Sequence, residues 1–82
     1  MKIYTIEKEF DDNYDQSCTC VCATVDLNTV IAYINNNPLD DACFSYTVCV
    51  FDGFTGTILE RTSLSCYTVN RGITEIKFGK IK

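Results

Sequence analysis

The side chains in this chain that could do chemistry are its cysteines and its acids. Six cysteines, Cys18, Cys20, Cys22, Cys43, Cys49 and Cys66, stand among 82 residues that contain no histidine. A cysteine nucleophile needs a base, and the commonest one is missing. The zinc spacings built on CxxC are absent as well. In an extended strand Cys18, Cys20 and Cys22 span about 13 Å. Two sulfurs on one zinc ion lie within about 4.6 Å of each other, so the three cannot share an ion in a regular strand. No metal and no cofactor is expected. In a secreted chain six cysteines would allow about 15 disulfide connectivities; in a reducing compartment they read as free thiols, behaving as small apolar groups.

The acids fall in short runs: Asp11, Asp12 and Asp15 in one, Asp40 and Asp41 in another, with Asp52 before a glycine. Adjacent acids in turn-forming sequence are read as solvated turn formers rather than catalytic pairs. The glycine-containing stretch Asp52 to Gly56 has neither the lysine nor the following helix of a phosphate-binding loop. The chain is therefore expected not to be an enzyme.

These groups need elements to hold them. Leu27, Val30, Ile31 and Ile34 recur at i, i+3, i+4 and i+7, the stripe of an amphipathic helix over residues 26 to 37. Asp26 is placed to cap its start, and Asn35, Asn36 and Asn37 before Pro38 to end it. Alternation predicts strands over residues 2 to 10, 18 to 25, 43 to 51, 57 to 69 and 73 to 81. Turns are expected at 11 to 17, 52 to 56 and 70 to 72. The expectation is one α+β domain over residues 1 to 82, an antiparallel sheet of about five strands in ββαβββ order with one helix on one face.

Strand alternation then sorts the cysteines. Tyr4, Ile6, Tyr46, Val48, Tyr67 and Val69 would face the helix, with Tyr-Thr-β-branched triplets at 4 to 6, 46 to 48 and 67 to 69. All six thiols would face the other way, with Ile3, Thr5, Thr24, Thr47, Phe51, Leu64 and Thr68. Such a face carries almost no charge, and an uncharged sheet face calls for a cover. Cys18, Cys20, Cys22, Cys43, Thr47, Cys49, Phe51 and Cys66 are thus the candidate self-association face of a homodimer.

Charge gives the other candidate surface. Net charge is −4, but residues 1 to 60 carry −8 and residues 61 to 82 carry +4. An acidic front disfavours direct nucleic-acid binding and suits a basic protein surface. Tyr14 amid Asp11, Asp12 and Asp15 could anchor in a basic groove, joined by Asp40, Asp41 and Asp52. The sequence has no apolar run long enough for a membrane span, and its start, MKIYTIEKEF, lacks the apolar stretch of a signal peptide, which makes the cytoplasm the expected compartment.

The opening strand KIYTI, the acidic loop DDNYD, a second strand and the helix TVDLNTVIAYI together resemble small bacteriophage and prophage proteins, some of which are anti-CRISPR or other anti-defence inhibitors. The resemblance covers roughly residues 1 to 52 and carries no catalytic signature. It implies a non-enzymatic inhibitor acting in a host bacterial cell on a CRISPR or other defence effector. The alternative from the residues themselves is a homo-oligomeric structural module, or a small metal- or thiol-binding module, built on the cysteine-rich sheet face.

Overall fold

The computed structural model describes residues 1–11 and 16–80. Strand β1 (Lys2–Asp11) pairs back to β2 (Gln16–Thr24), and helix α1 (Leu27–Asn36) follows. β3 (Phe44–Asp52) and β4 (Ile58–Ser65) form a second hairpin, α2 (Cys66–Arg71) follows it, and β5 (Gly79–Lys80) closes the chain. The sheet is antiparallel throughout, in the order β2-β1-β3-β4-β5. The fold is α+β, an antiparallel sheet of five strands with a helix on one face, as expected, and a second short helix, α2, that was not.

The helix α1 forms where the apolar stripe predicts it. Asp26 caps it by accepting from the Asn28 N–H at 2.9 Å, and Asn37 ends it, its N–H donating to the Ile34 carbonyl. Val30 and Ile34 are fully buried, with Leu27 and Ile31 packed beside them against Ile6 and Val48. Burial of each such side chain contributes roughly 1.5–3 kcal/mol, enough to hold a ten-residue helix that would fray alone. Tyr46 lies at the bottom of this core, and its hydroxyl donates to the Asn37 carbonyl at 2.9 Å.

The second half departs from the expected pattern. Where one long strand was expected over residues 57 to 69, β4 stops at Ser65 and the chain turns into α2. Ser65 caps this helix, its hydroxyl accepting from the Thr68 N–H at 3.3 Å, and Gly72 ends it at φ +91. Cys66 and Val69 point into the core and Tyr67 into solvent, so the third Tyr-Thr-Val triplet is helical. The strand expected over residues 73 to 81 shrinks to Gly79 and Lys80 among the described residues. Ile73, Ile76 and Phe78 instead seal the core as irregular chain.

The expected six-thiol face is also corrected. Ile6 pairs with Cys22 and Glu7 with Cys20, which leaves Val21 as the extra residue of a β-bulge. A bulge shifts the alternation by one. Cys22 therefore lies with Ile6 on the helix side, against the core, and Thr24, paired with Tyr4, follows it. Leu64, opposite Tyr46, is on the helix side as well. Cys66 is buried in the core beneath α2, Thr68 lies in α2, and Cys43 lies in the turn before β3. The open face keeps Cys18, Cys20 and Cys49 with Ile3, Thr5, Thr47 and Phe51. It is not free of charge, because Glu7, Glu9 and Arg61 stand on it.

Candidate functional site

Two adjacent strands build the site. Glu9 faces Cys18 and Glu7 faces Cys20 across the β1–β2 pair, so two carboxylates and two thiols alternate on the open face. Glu7 leans diagonally over β2, and the Cys18 thiol donates to its Oε2 at 3.1 Å. That hydrogen bond is the main reason the Cys18 thiol is pushed up from 9.0 to about 11, with desolvation and the charges of Glu7 and Glu9 adding to it. Cys18 is thus a proton donor, not a ready nucleophile, despite its exposure. Cys49, one strand beyond β1, is raised chiefly by burial and then by Glu7, while Arg61 beside it acts in the opposite direction.

The donor atoms of Glu7, Glu9 and Cys18 all lie within 4.8 Å of one another, close enough to hold one divalent cation. An ion there would have to displace the Cys18 proton. The other thiols do not join the cluster. Cys66 donates to the Leu39 carbonyl at 3.6 Å, and Cys20 to the Cys22 carbonyl at 3.6 Å.

The acids singled out in the sequence separate into two groups. Phe10 pairs with Phe44, so the end of β1 lies beside the start of β3, which follows the turn holding Asp40 and Asp41. Asp12, Tyr14 and Asp15 lie outside the described residues. Asp41 forms a local turn, its carboxylate accepting from the Cys43 N–H at 2.9 Å. Asp52 does not join this group. It pairs with Lys2 at the far end of β3, about 26 Å along the strand from Phe44, and its carboxylate accepts from the Phe54 N–H at 2.8 Å.

Glu7 and Glu9 stand two residues apart on the same face of β1. Their alternation with Lys8 is what separates the charges by face. Lys8 points the other way, with its ammonium 4.5 Å from the centre of the Phe44 ring, turned away from the open-face carboxylates.

Fold and site together define a small α+β protein with one helix-covered face and one open face that carries Glu7, Glu9 and Cys18. No protein-family model matches the chain, and no curated protein and no solved structure is detectably similar to it. Among the described residues, no helix is long and apolar enough to cross a membrane.

Proposed function

We propose that the chain is a non-enzymatic protein-binding inhibitor whose acidic surface occupies a basic surface on its target. The observation that carries this reading is the pair of carboxylates Glu7 and Glu9 on the open face of β1, with Asp40 and Asp41 in the turn before β3; in sequence Asp11, Asp12 and Asp15 follow closely on Glu9. Carboxylates two residues apart on one strand present a spaced negative charge, as a nucleic-acid backbone does, and steer a basic partner at long range. The target class that fits is a nucleic-acid-binding effector. The resemblance of residues 1 to 52 to small phage proteins makes a CRISPR or other defence effector in the host cytoplasm the most specific version.

The test is affinity capture from a bacterial lysate containing such effectors, under reducing conditions, with the wild-type chain and an E7Q/E9Q/D40N/D41N variant. Stoichiometric capture of a nucleic-acid-binding complex that then loses its DNA binding, with both effects abolished in the variant, is the expected result. A captured complex that binds DNA undiminished, or equal capture by the variant, would overturn the reading.

The metal- or thiol-binding alternative is supported by the convergence of Glu7, Glu9 and Cys18. Self-association through the open face has less behind it. Thr47 and Cys49 are already only 3% and 5% exposed, so a second copy would gain little area from them.

A further inference from the structure

β2 is an edge strand, and it lacks the usual protection of an edge. Gln16–Thr24 contains no charged residue and no proline, and Ser17, Cys18, Thr19 and Cys20 are all exposed. Natural edges are usually blunted by lysine, proline or a bulge, because their unpaired N–H and C=O groups recruit other strands. Here the one bulge sits at Val21, beyond the exposed run, and leaves Ser17 to Cys20 regular.

From this geometry we infer that β2 accepts an extended segment of the partner protein as a sixth strand, and that this segment carries basic side chains two residues apart. The inference rests on the protein-binding reading above and specifies its chemistry. A strand added outside β2 would lie about 9.6 Å from β1. Its residues opposite Cys18 and Cys20 would share the open face with Glu9 and Glu7. Glu7 already spans part of that gap, since its carboxylate reaches the Cys18 sulfur. A lysine or arginine opposite Cys18 or Cys20 extends far enough to meet the carboxylates from the other side. The intervening residue of the segment would stand opposite Thr19 on the helix side, diagonal to the half-buried Val21, and there an uncharged or apolar side chain fits. Main-chain hydrogen bonds would supply affinity, and the basic-apolar-basic alternation would supply specificity.

Charge decides between occupants. A second copy paired through β2 would bring its own Glu7 and Glu9 toward this pair, with Lys8 of each copy turned to the opposite face. A basic segment meets the opposite sign instead.

The experiment uses the full chain and fluorescently labelled peptides of the sequence TKVKTVT, capped at both ends. Controls are the same composition with adjacent lysines, TKKVTVT, and versions N-methylated at alternate backbone positions in either phase. The expected result is binding of TKVKTVT about tenfold tighter than TKKVTVT, a loss of about tenfold in an E7Q/E9Q variant, abolition by N-methylation in one phase and not the other, and slowed hydrogen exchange within Ser17 to Cys20. If the N-methylated peptides of both phases bind as well, charge alone is acting; strand addition is then wrong while the acidic-surface reading stands. If no cationic peptide binds even at low salt, both fall. A dimeric free chain with those amides already protected would assign the edge to a second copy and overturn the inference.

Discussion

The Cys18 thiol donates to Glu7 Oε2 at 3.1 Å across the β1–β2 pair, a diagonal contact that ties the proton of an exposed cysteine to the carboxylate of the neighbouring strand. Because the folded chain holds this thiol up at about 11 against 9.0, the neutral form is favoured in the fold. The sign follows from that. The stabilising contribution is fully present below pH 9 and is lost as pH rises through about 11. Replacing Glu7 with Gln removes both the acceptor charge and most of the shift. A gain in thiolate that approaches about a hundredfold is partly offset by lower intrinsic nucleophilicity, so alkylation of Cys18 by iodoacetamide at pH 8 should accelerate up to about tenfold in E7Q. Mass spectrometry of the Cys18 peptide over time checks this; an unchanged rate would mean that the hydrogen bond does not govern the thiol.

Two asparagines act as substitutes for strand partners. The Asn35 side-chain amide donates to the Ile73 carbonyl at 2.8 Å and its oxygen accepts from the Ile73 N–H at 2.9 Å. Asn70 does the same for Leu39, with bonds of 2.8 and 2.9 Å. Each asparagine therefore satisfies both backbone groups of a core residue that lies outside any helix or strand. N35A should cost about 2 kcal/mol in urea unfolding, because it orphans both backbone groups of Ile73, and N70A about 1–2 kcal/mol, because the Leu39 carbonyl keeps the Cys66 thiol as a donor. A loss below about 0.5 kcal/mol in either would show that water replaces the amide fully.

What the sequence made legible, and what it hid, divides along the range of the interactions. α1 was readable to within a residue because its stripe, its Asp26 cap and its Asn-Pro stop are all local. The three strands β1, β2 and β3 were readable because alternation holds over most of each. α2 was missed because Cys66-Tyr67-Thr68-Val69 are β-formers, and the tertiary core, not propensity, decides them. The Ser65 to Gly72 cap spacing was the available signal. The side assignment of Cys22 depended on a bulge that only the pairing with β1 reveals. The candidate acids were half placed by sequence: Asp40 and Asp41 lie in the expected turn, Asp52 lies at the opposite end of β3 from that turn, and Glu7 and Glu9 take their setting from the strand opposite.

Gly72 marks where α2 must stop. Its φ of +91 with ψ of 140 lies where a Cβ is strained, although no neighbouring atom would meet that Cβ within 4 Å. The cost of Gly72→Ala is thus conformational rather than steric. It should be about 1–2 kcal/mol by thermal or urea unfolding. A second variant, Ser65→Ala, removes the N-cap at the other end and should cost about 1 kcal/mol. If both were neutral, α2 would be held by Cys66 and Val69 packing alone.

The bulge at Val21 makes a prediction that an unbroken alternation would reverse. In a regular strand Cys18, Cys20 and Cys22 would share one environment, and a lysine would be tolerated equally at each. With Val21 as the extra residue, Cys20 stands on the open face opposite Glu7, while Cys22 lies beside Ile6, which is fully buried under α1. Cys20→Lys should therefore be within about 0.5 kcal/mol of wild type, since the ammonium stays in water near a carboxylate. Cys22→Lys must either bury a charge against the core or push β2 away from β1, and should cost about 2–4 kcal/mol. Urea unfolding of the two variants reads the difference directly. Equal stabilities would place both residues on one face and remove the bulge from the solution structure; a gap in the stated direction confirms that β2 changes sides at Val21.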